Sequence, residues 1–359
     1  MLNPFFKGCA KIRAFNHHCN EPRRIKASAI FAAQPLQMSF DSSSVLVVGT
    51  VAFDSIKTPF GARERIVGGA GNYIGWSASR LGVGAGLVSV IGEDFPDAEL
   101  KAMESAGMML NGVEMKQGEK SFFWSGSYHM DMNGRDTLET ELNVLADFNP
   151  VIPEAWRNAR WVMLGNIYPA LQASVLDQMD QRPALVVLDT MNFWMDIAME
   201  GLKKVISRVD VLTINDEEAR QLSGERSLVK AARSILAMGP RYLIIKKGEH
   251  GALLFHMEAD KLDFFFCPAL PLEDVVDPTG AGDTFAGGFI SHLAAMDRTD
   301  FAAMKEAVVV GSALASFTCE SFGTEGIRAV DRQALSARIE QFRKMTVWQE
   351  AAIPSAVSG

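Results

Sequence analysis

The sequence has few of the residues that staple a fold or ligate a metal. Its 359 residues include four cysteines, Cys9, Cys19, Cys267 and Cys319, with no paired spacing, and six histidines. That excludes a disulfide framework and fits a reducing, cytoplasmic setting. Cys9, His17, His18 and Cys19 lie close together in sequence, yet their spacing matches no zinc-ligand pattern. No uninterrupted apolar run approaches the roughly 18 residues of a membrane span, so no membrane partner is expected. The chain also has no Gly-x-x-x-x-Gly-Lys-Ser/Thr segment, which excludes a conventional P-loop. Gly82, Gly84 and Gly86 precede a strand instead of following one, which removes the dinucleotide-binding reading. Internal repeats and low-complexity stretches are absent.

What the chain does have is apolar mass and unevenly spread charge. With 48% apolar and 22% charged residues it has the composition of a globular protein able to bury a large core. A large α/β sheet can take about 300 residues as one unit, so one main domain with appendages is expected. The formal charge is −8, but residues 1–40 carry Lys7, Lys11, Arg13, Arg23, Arg24 and Lys26 against Glu21 alone, which leaves the body near −13. A body that acidic is a poor nucleic-acid binder. The basic leader, 1–40, is expected to be disordered or to precede a true start at Met38, with an organelle transit segment as the further alternative. Residues 41–347 form the expected domain, with small lid segments near 55–67 and 113–140, and 348–359 form a tail.

Within the body, apolar β-branched runs alternate with helix-length segments. "SVLVVGT" (44–50) reads as a buried strand, followed by a helix over 73–81, the strand "GLVSVIG" and the helix "DAELKAMESAG". After Gly118 the texture changes: "KSFFWSGSYHMDMNGRDTLETEL" mixes aromatic with polar residues around the turn pair Asn133-Gly134, which predicts a β-hairpin outside the main sheet. Alternation then resumes through "WVMLG", helix 170–180, "ALVVLDT", helix 195–207, "DVLTIN", helices to 238 and "YLIIKKG". Strands around "ALLFHM" and "DFFFC" follow, and helices near 281–296, 302–319 and 331–345 end the body. Such alternation predicts an α/β fold: a doubly wound, mostly parallel sheet flanked by helices, with a small β lid. Ligands in such sheets bind beyond the carboxyl ends of the strands, where Asp54, Asp189, Asn215 and Gly248 fall.

The stretch "VVDPTGAGDTFAGGF" (275–289) runs three small residues, Gly280, Ala281 and Gly282, into an acid and then an apolar helix. Unpaired N–H groups at the positive end of a helix dipole make an anion cradle, and small residues let the anion come close. A carboxylate in the first turn suits a general base for phosphoryl transfer. Read alone, the same residues also suit an ordinary capping turn.

"DPTGAGDTFAGGFI" (277–290) resembles the second signature of the ribokinase-like (PfkB) family of carbohydrate and nucleoside kinases, and the likeness extends over roughly 44–330. "GGAGNYIGWSASRLGVGAGLVSVIG" resembles the first signature, with Tyr73 where the family usually has Asn and Gly75 where it has Ser, Thr or Ala. "NDEEA" resembles its Asn-x-x-Glu motif, and "KKGEHG" its Thr-x-Gly-x-x-Gly nucleotide segment, with Lys246 in place of Thr. The resemblance implies a ribokinase-like fold that binds ATP and Mg²⁺. Asp283 would deprotonate the acceptor hydroxyl while the N–H groups of Gly280, Ala281 and Gly282 hold the phosphoryl group. Asn215 and Glu218 would organise Mg²⁺ through its waters, and Gly248 and Gly251 would let the nucleotide approach. Asp277 and Thr279 match positions of a monovalent-cation site, usually for K⁺. Asp54 would bind acceptor hydroxyls beside Gly68 and Gly69.

Several roles stay open at this level. Lys246 either contacts a β- or γ-phosphate or is solvated at its strand end. Tyr73 either stacks on a base or pyranose or packs inside its helix. Phe123, Trp124 and Tyr128 close over the acceptor or form a sheet or dimer contact. Arg63, Arg65 and Arg135 suit a sugar-phosphate acceptor only if they converge. Asp189 and Asn192 carry less weight because the Arg that often follows the family's Asp-x-Asn segment is missing. The small space between Asp54 and Gly68 predicts a reduced lid, and relatives often form homodimers through lid strands. The leading expectation is a kinase that moves the γ-phosphoryl group of ATP to a hydroxyl of a small free sugar. A nucleoside (adenosine-like) kinase is the close alternative, and a catalytically silent nucleotide- or sugar-binding regulator the alternative of another class.

Overall fold

The run Val45–Val48 is buried along its whole length and faces two cores at once, Val45 and Val47 on one side and Leu46 and Val48 on the other. This alternation is what a strand covered on both faces requires. The computed structural model describes residues 39–347. Most of the basic leader, with its Cys9, His17, His18 and Cys19, and the tail 348–359 lie outside them.

Among the described residues thirteen strands are arranged in two sheets: β1 (Val45–Val48), β2 (Ala52–Thr58), β3 (Gly61–Gly68), β4 (Ala85–Gly92), β5 (Met108–Lys116), β6 (Phe123–Tyr128), β7 (Arg135–Glu141), β8 (Trp161–Leu164), β9 (Leu185–Asp189), β10 (Val211–Asn215), β11 (Tyr242–Lys246), β12 (Ala252–Glu258) and β13 (Lys261–Cys267). The main sheet has nine, in the order β13-β12-β11-β10-β9-β8-β1-β4-β5. Pairing is parallel from β5 through to β11, and β12 and β13 add an antiparallel edge. From β1 the chain winds first through β4 to β5 and then returns to β8, so the order reverses between β1 and β8. A crevice at such a switch is where ligands bind in doubly wound sheets.

The second sheet has the order β3-β2-β6-β7 and occupies the place expected for the lid. The hairpin read from Asn133-Gly134 joins β6 to β7, and Asp131 Oδ1 accepts from the Asn133 and Gly134 N–H groups at 3.1 Å each. Two expectations are corrected. Residues 113–116 belong to β5, an edge strand of the main sheet that its mixed polar pattern concealed. The short pair after Asp54 does not stand alone as a reduced lid, because β2 pairs in parallel with β6 and makes one four-stranded unit with the hairpin.

The helices fall close to their expected places, 281–296 at both ends and 302–319 as Phe301–Cys319. The segment expected at 195–207 is broken into Asn192–Ile197 and Met199–Ile206. Phe301–Cys319, with a mean hydropathy of 1.3, is long and apolar enough to cross a membrane by composition, which the sequence reading did not register. Its Ala303, Met304, Ala307, Val308 and Leu314 are buried in the core, which accounts for the apolarity.

Helix Ala281–Met296 is held between two others through glycines. A methyl group at Gly287 would sit 2.7 Å from Ile74 Cα, one at Gly288 3.1 Å from Gly311 Cα, and one at Gly311 2.6 Å from the Phe285 carbonyl oxygen. The helix therefore cannot slide or tilt without a clash between backbones. Gly311→Ala should lower the stability by about 1–3 kcal/mol, the range for overpacking a tight core, with an unchanged denaturant slope in urea unfolding.

Candidate active site

At the start of helix Ala281–Met296 the chain turns sharply. Gly280 has φ 77°, a left-handed conformation natural to glycine, and a Cβ there would collide with the Tyr73 ring at 2.3 Å. Tyr73 is 1% exposed, so its ring serves as the floor under this turn and offers no face to an acceptor. Its hydroxyl has no hydrogen-bond partner among the described residues. Burial first, then the carboxylates of Asp54, Asp277 and Asp283, hold that phenol well above its usual pKa.

The cradle differs from expectation in one donor. Ala281 N–H donates to the Pro278 carbonyl at 3.1 Å and Thr284 N–H to the Gly280 carbonyl at 2.8 Å. Among the described residues, the Gly280 and Gly282 N–H groups have no such partner. Two of the three expected donors are thus available to an anion at the helix's positive end. Asp277 braces the turn: fully buried, it accepts from Thr279 N–H and Gly323 N–H at 2.9 Å each. Both carboxyl oxygens are engaged in tying the loop to Gly323, which makes this residue a strut in the present arrangement.

Around the cradle stand more acids than cations. Asp283 lies in the first helical turn, and burial, then the Asp189 charge, raise its carboxyl to about 7. Asp54, 5% exposed, lies within β2 and is raised to about 7 by burial and by Asp277 and Asp283. A Cβ on Gly68 would lie 1.9 Å from Asp54 Oδ2, so the glycine makes room for that carboxyl against the backbone. Glu218 is also raised to about 7 by burial, opposed by Lys246. It forms a reciprocal capping box with Asn215: Asn215 Oδ1 accepts from Glu218 N–H at 2.8 Å and Glu218 Oε2 from Asn215 N–H at 2.7 Å.

Lys246 is neither solvated nor free. Its Nζ donates to Asp189 Oδ1 at 3.0 Å, and the same oxygen accepts from Thr213 Oγ1 at 3.2 Å. Burial pushes the ammonium down, but Asp189, Glu218 and Asp283 outweigh it and leave the pKa raised. Asp189, which the sequence weighs lightly, thus belongs to the site. Asn192 does not, being an exposed residue whose Oδ1 accepts from Phe193 N–H at 3.0 Å.

The second sheet reaches the site at three points. Tyr128 accepts from Thr279 Oγ1 at 3.0 Å, which fastens β6 to the anion loop. At the hairpin tip Asn133 Oδ1 lies 2.6 Å from where a Cβ on Gly248 would be, so the tip reaches the nucleotide segment. Arg135, paired with Tyr128 in register and 5.6 Å from the Trp124 ring centroid, holds down the pKa values of Asp54, Glu218 and Asp283. Arg63 and Arg65 instead lie over the rings of Phe322 and Phe53. Gly251 packs against β13, where a Cβ would meet the Cys267 carbonyl oxygen at 2.1 Å.

The donor set suits Mg²⁺ bound mainly through phosphate and water. No three His, Cys, Asp or Glu among the described residues gather as a metal cage, and Mg²⁺ normally takes one or two carboxylates plus phosphate and water oxygens. Glu218 uses Oε2 in the capping box, so Oε1 is the oxygen that would meet such a shell.

The family model for pfkB family carbohydrate kinase matches residues 38–329, and the chain belongs to that family. It is 32% identical over 251 residues to the cytidine kinase of Thermococcus kodakarensis, covering 69% of this chain and 87% of that protein. Likeness to the nucleoside kinase of Methanothermobacter thermautotrophicus is 25% over 305 residues, covering 79% and 92%. Among solved structures, the Methanocaldococcus jannaschii nucleoside kinase matches with a TM-score of 0.66 at 21% identity, covering 83% of this chain and 98% of that one. A putative ribokinase II from E. coli, solved with ATP and Mg²⁺, matches with a TM-score of 0.67 at 19% identity, covering 84% and 99%. The fold is ribokinase-like, and the protein is an ATP-dependent kinase of the sugar and nucleoside class.

Three measurements test the site's electrostatics. Asp283→Asn should lower kcat by about 10²–10⁴-fold with little change in KM for ATP, as loss of a general base requires. Wild-type kcat/KM should fall as the pH drops below about 7, because Asp283 must be ionised to act; the apparent value belongs to the interacting acids together. Asp54 has a folded-state pKa above its unfolded one, so its contribution to stability is most favourable at low pH and is lost as the pH rises through about 7. Asp54→Asn should therefore raise the urea midpoint of the ligand-free protein at pH 8.5, an advantage that shrinks as the pH falls below about 7 and is lost near the ordinary carboxylate value of 3.8.

Proposed function

We propose that this kinase transfers the γ-phosphoryl group of ATP to a primary hydroxyl of a ribonucleoside. Asp54 accepts from the vicinal hydroxyls of the ribose, Asp283 takes the proton of the attacking hydroxyl, and the Gly280 and Gly282 N–H groups hold the phosphoryl group. An alcohol is far less acidic than a carboxylic acid, so the proton passes late, as the oxygen loses electron density to phosphorus. Mg²⁺ would be held on the Glu218 side through water and would neutralise phosphate charge.

The observation that carries nucleoside over free sugar is Trp124. It pairs in register with Asp54 across β2 and β6, so both side chains project from one face of the second sheet. A half-buried indole beside the ribose-binding carboxylate provides a stacking surface that a nucleobase fills and a free pentose leaves bare. The likeness to a cytidine kinase and a nucleoside kinase supports the same choice.

The experiment is a coupled ADP-release screen with Mg²⁺ and K⁺ over cytidine, other ribonucleosides, ribose and fructose, with Asp283→Asn as the blank. At least one ribonucleoside should exceed ribose in kcat/KM by tenfold or more. Trp124→Ala should raise that nucleoside's KM by about tenfold, in keeping with 1–3 kcal/mol for an aromatic–base stack. Preference for a free sugar, or a Trp124→Ala enzyme with unchanged nucleoside KM, overturns the proposal.

A further inference from the structure

Lys246 stands where the resembling nucleotide segment of the family has a neutral threonine. An ammonium group carries three N–H donors and no acceptor. In this chain one of them reaches Asp189 at 3.0 Å, and no other protein acceptor is bonded to it among the described residues. Its side chain is only 19% exposed, so little solvent reaches the two remaining donors, which no other protein group among the described residues bonds. The ammonium borders the cradle: a Cβ added to Gly282 would lie 3.2 Å from Lys246 Nζ. Asp189 is itself fixed, 7% exposed in its side chain and bonded by the Thr213 hydroxyl at 3.2 Å. A cation clamped on one side and unsatisfied on the other, next to open backbone N–H groups, is arranged for an anion.

We propose that Lys246 is a catalytic residue of the phosphoryl-transfer centre, contacting the terminal phosphoryl group of ATP, and that Asp189, held by Thr213, is its positioning residue. This rests on the reading that the terminal phosphoryl group occupies the cradle at Gly280 and Gly282. The ammonium stays on Asp189 and adds its remaining N–H groups to those of the cradle, so no buried carboxylate is stripped of its partner when ATP enters. Charge-assisted contacts of this kind are roughly twice as strong as neutral ones, and they act on the group whose oxygens carry charge through the transfer. Lys246 faces Asp189, Glu218 and Asp283, and these acids keep it charged at neutral pH.

The test compares two nucleotides on the full chain by titration calorimetry, MgADP and the magnesium complex of adenylyl imidodiphosphate, an ATP analogue with a non-transferable terminal group. Lys246→Gln keeps a donor for Asp189 and removes the charge. It should bind MgADP within about threefold of wild type and the triphosphate analogue at least about tenfold more weakly, with kcat down by about 10²-fold. Lys246→Arg, which restores the charge with altered reach, should recover part of the discrimination between the nucleotides. Unchanged affinity for both nucleotides, or a parallel loss for both, overturns the proposal and leaves the lysine a structural partner of Asp189. Should Lys246→Gln not fold, Lys246→Met, which also removes the charge, carries the same comparison, and identical behaviour to wild type for both nucleotides overturns the proposal. Failure of the underlying kinase reading is distinguishable, since it would appear as absence of acceptor-dependent ADP release in the wild type.

Discussion

The position of one helix end governs the rest of the molecule. Helix Ala281–Met296 lies at backbone distance from the helix Ala70–Arg80 through Gly287 and from Phe301–Cys319 through Gly288 and Gly311. Its first turn is set by the left-handed Gly280 over the Tyr73 ring and by Asp277, whose carboxylate ties the loop to Gly323. With the core, the floor and the strut all fixed, the N–H groups of Gly280 and Gly282 have no freedom to follow a ligand. A preorganised donor pair stabilises developing charge without reorganising at the moment of reaction, which is how such sites obtain most of their effect.

This rigidity is paired with an electrostatic deficit. Asp54, Glu218 and Asp283 are all pushed up to about 7 by burial first, with repulsion from neighbouring carboxylates contributing at each, and Lys246 and Arg135 oppose it only in part. Such a cluster costs folding stability at neutral pH and is tolerated where its charges have a use. Metal-bound phosphates bring both signs of charge, so the cluster is best satisfied when substrates are present. Arg135 comes from the second sheet, which links the charge balance of the centre to the seating of that sheet through Tyr128 and Thr279.

Much of this was legible in the sequence because it is local. The strand Val45–Val48, the bounds of helix 281–296, the hairpin at Asn133-Gly134 and the residues of the cradle all follow from periodicity or from contiguous motifs. What escaped depends on partners far away in the chain. Asp189 reads in sequence only as a strand-end acid in an incomplete Asp-x-Asn segment, and its bond to Lys246, 57 residues on, is what gives it weight. Ala281 loses its N–H to Pro278, a detail of turn geometry that residue identity does not encode. Tyr73, which as a sequence letter suggests a stacking surface, is enclosed because Gly280 needs something to rest on. β5 was hidden because an edge strand need not be apolar along its length, and its outer half, Asn111–Lys116, mixes polar with apolar residues.

Two of the three residues that depart from the family pattern, Tyr73 and Lys246, meet at one turn, while the third, Gly75, packs against Met108. Tyr73 lies beneath Gly280, and Lys246 lies beside Gly282, two residues along the same turn. Replacing a short amide with a ring fills space below the cradle, while replacing a hydroxyl with an ammonium adds charge at its rim. Steric support and charge thus change together around a cradle whose own residues keep the family pattern. A cradle that is held more rigidly gains more from a cation fixed at its edge, because neither must move to meet the phosphoryl group. These two departures therefore belong to one adjustment of the same centre, and the bond from Lys246 to Asp189 is the part of it that sequence pattern alone could not reveal.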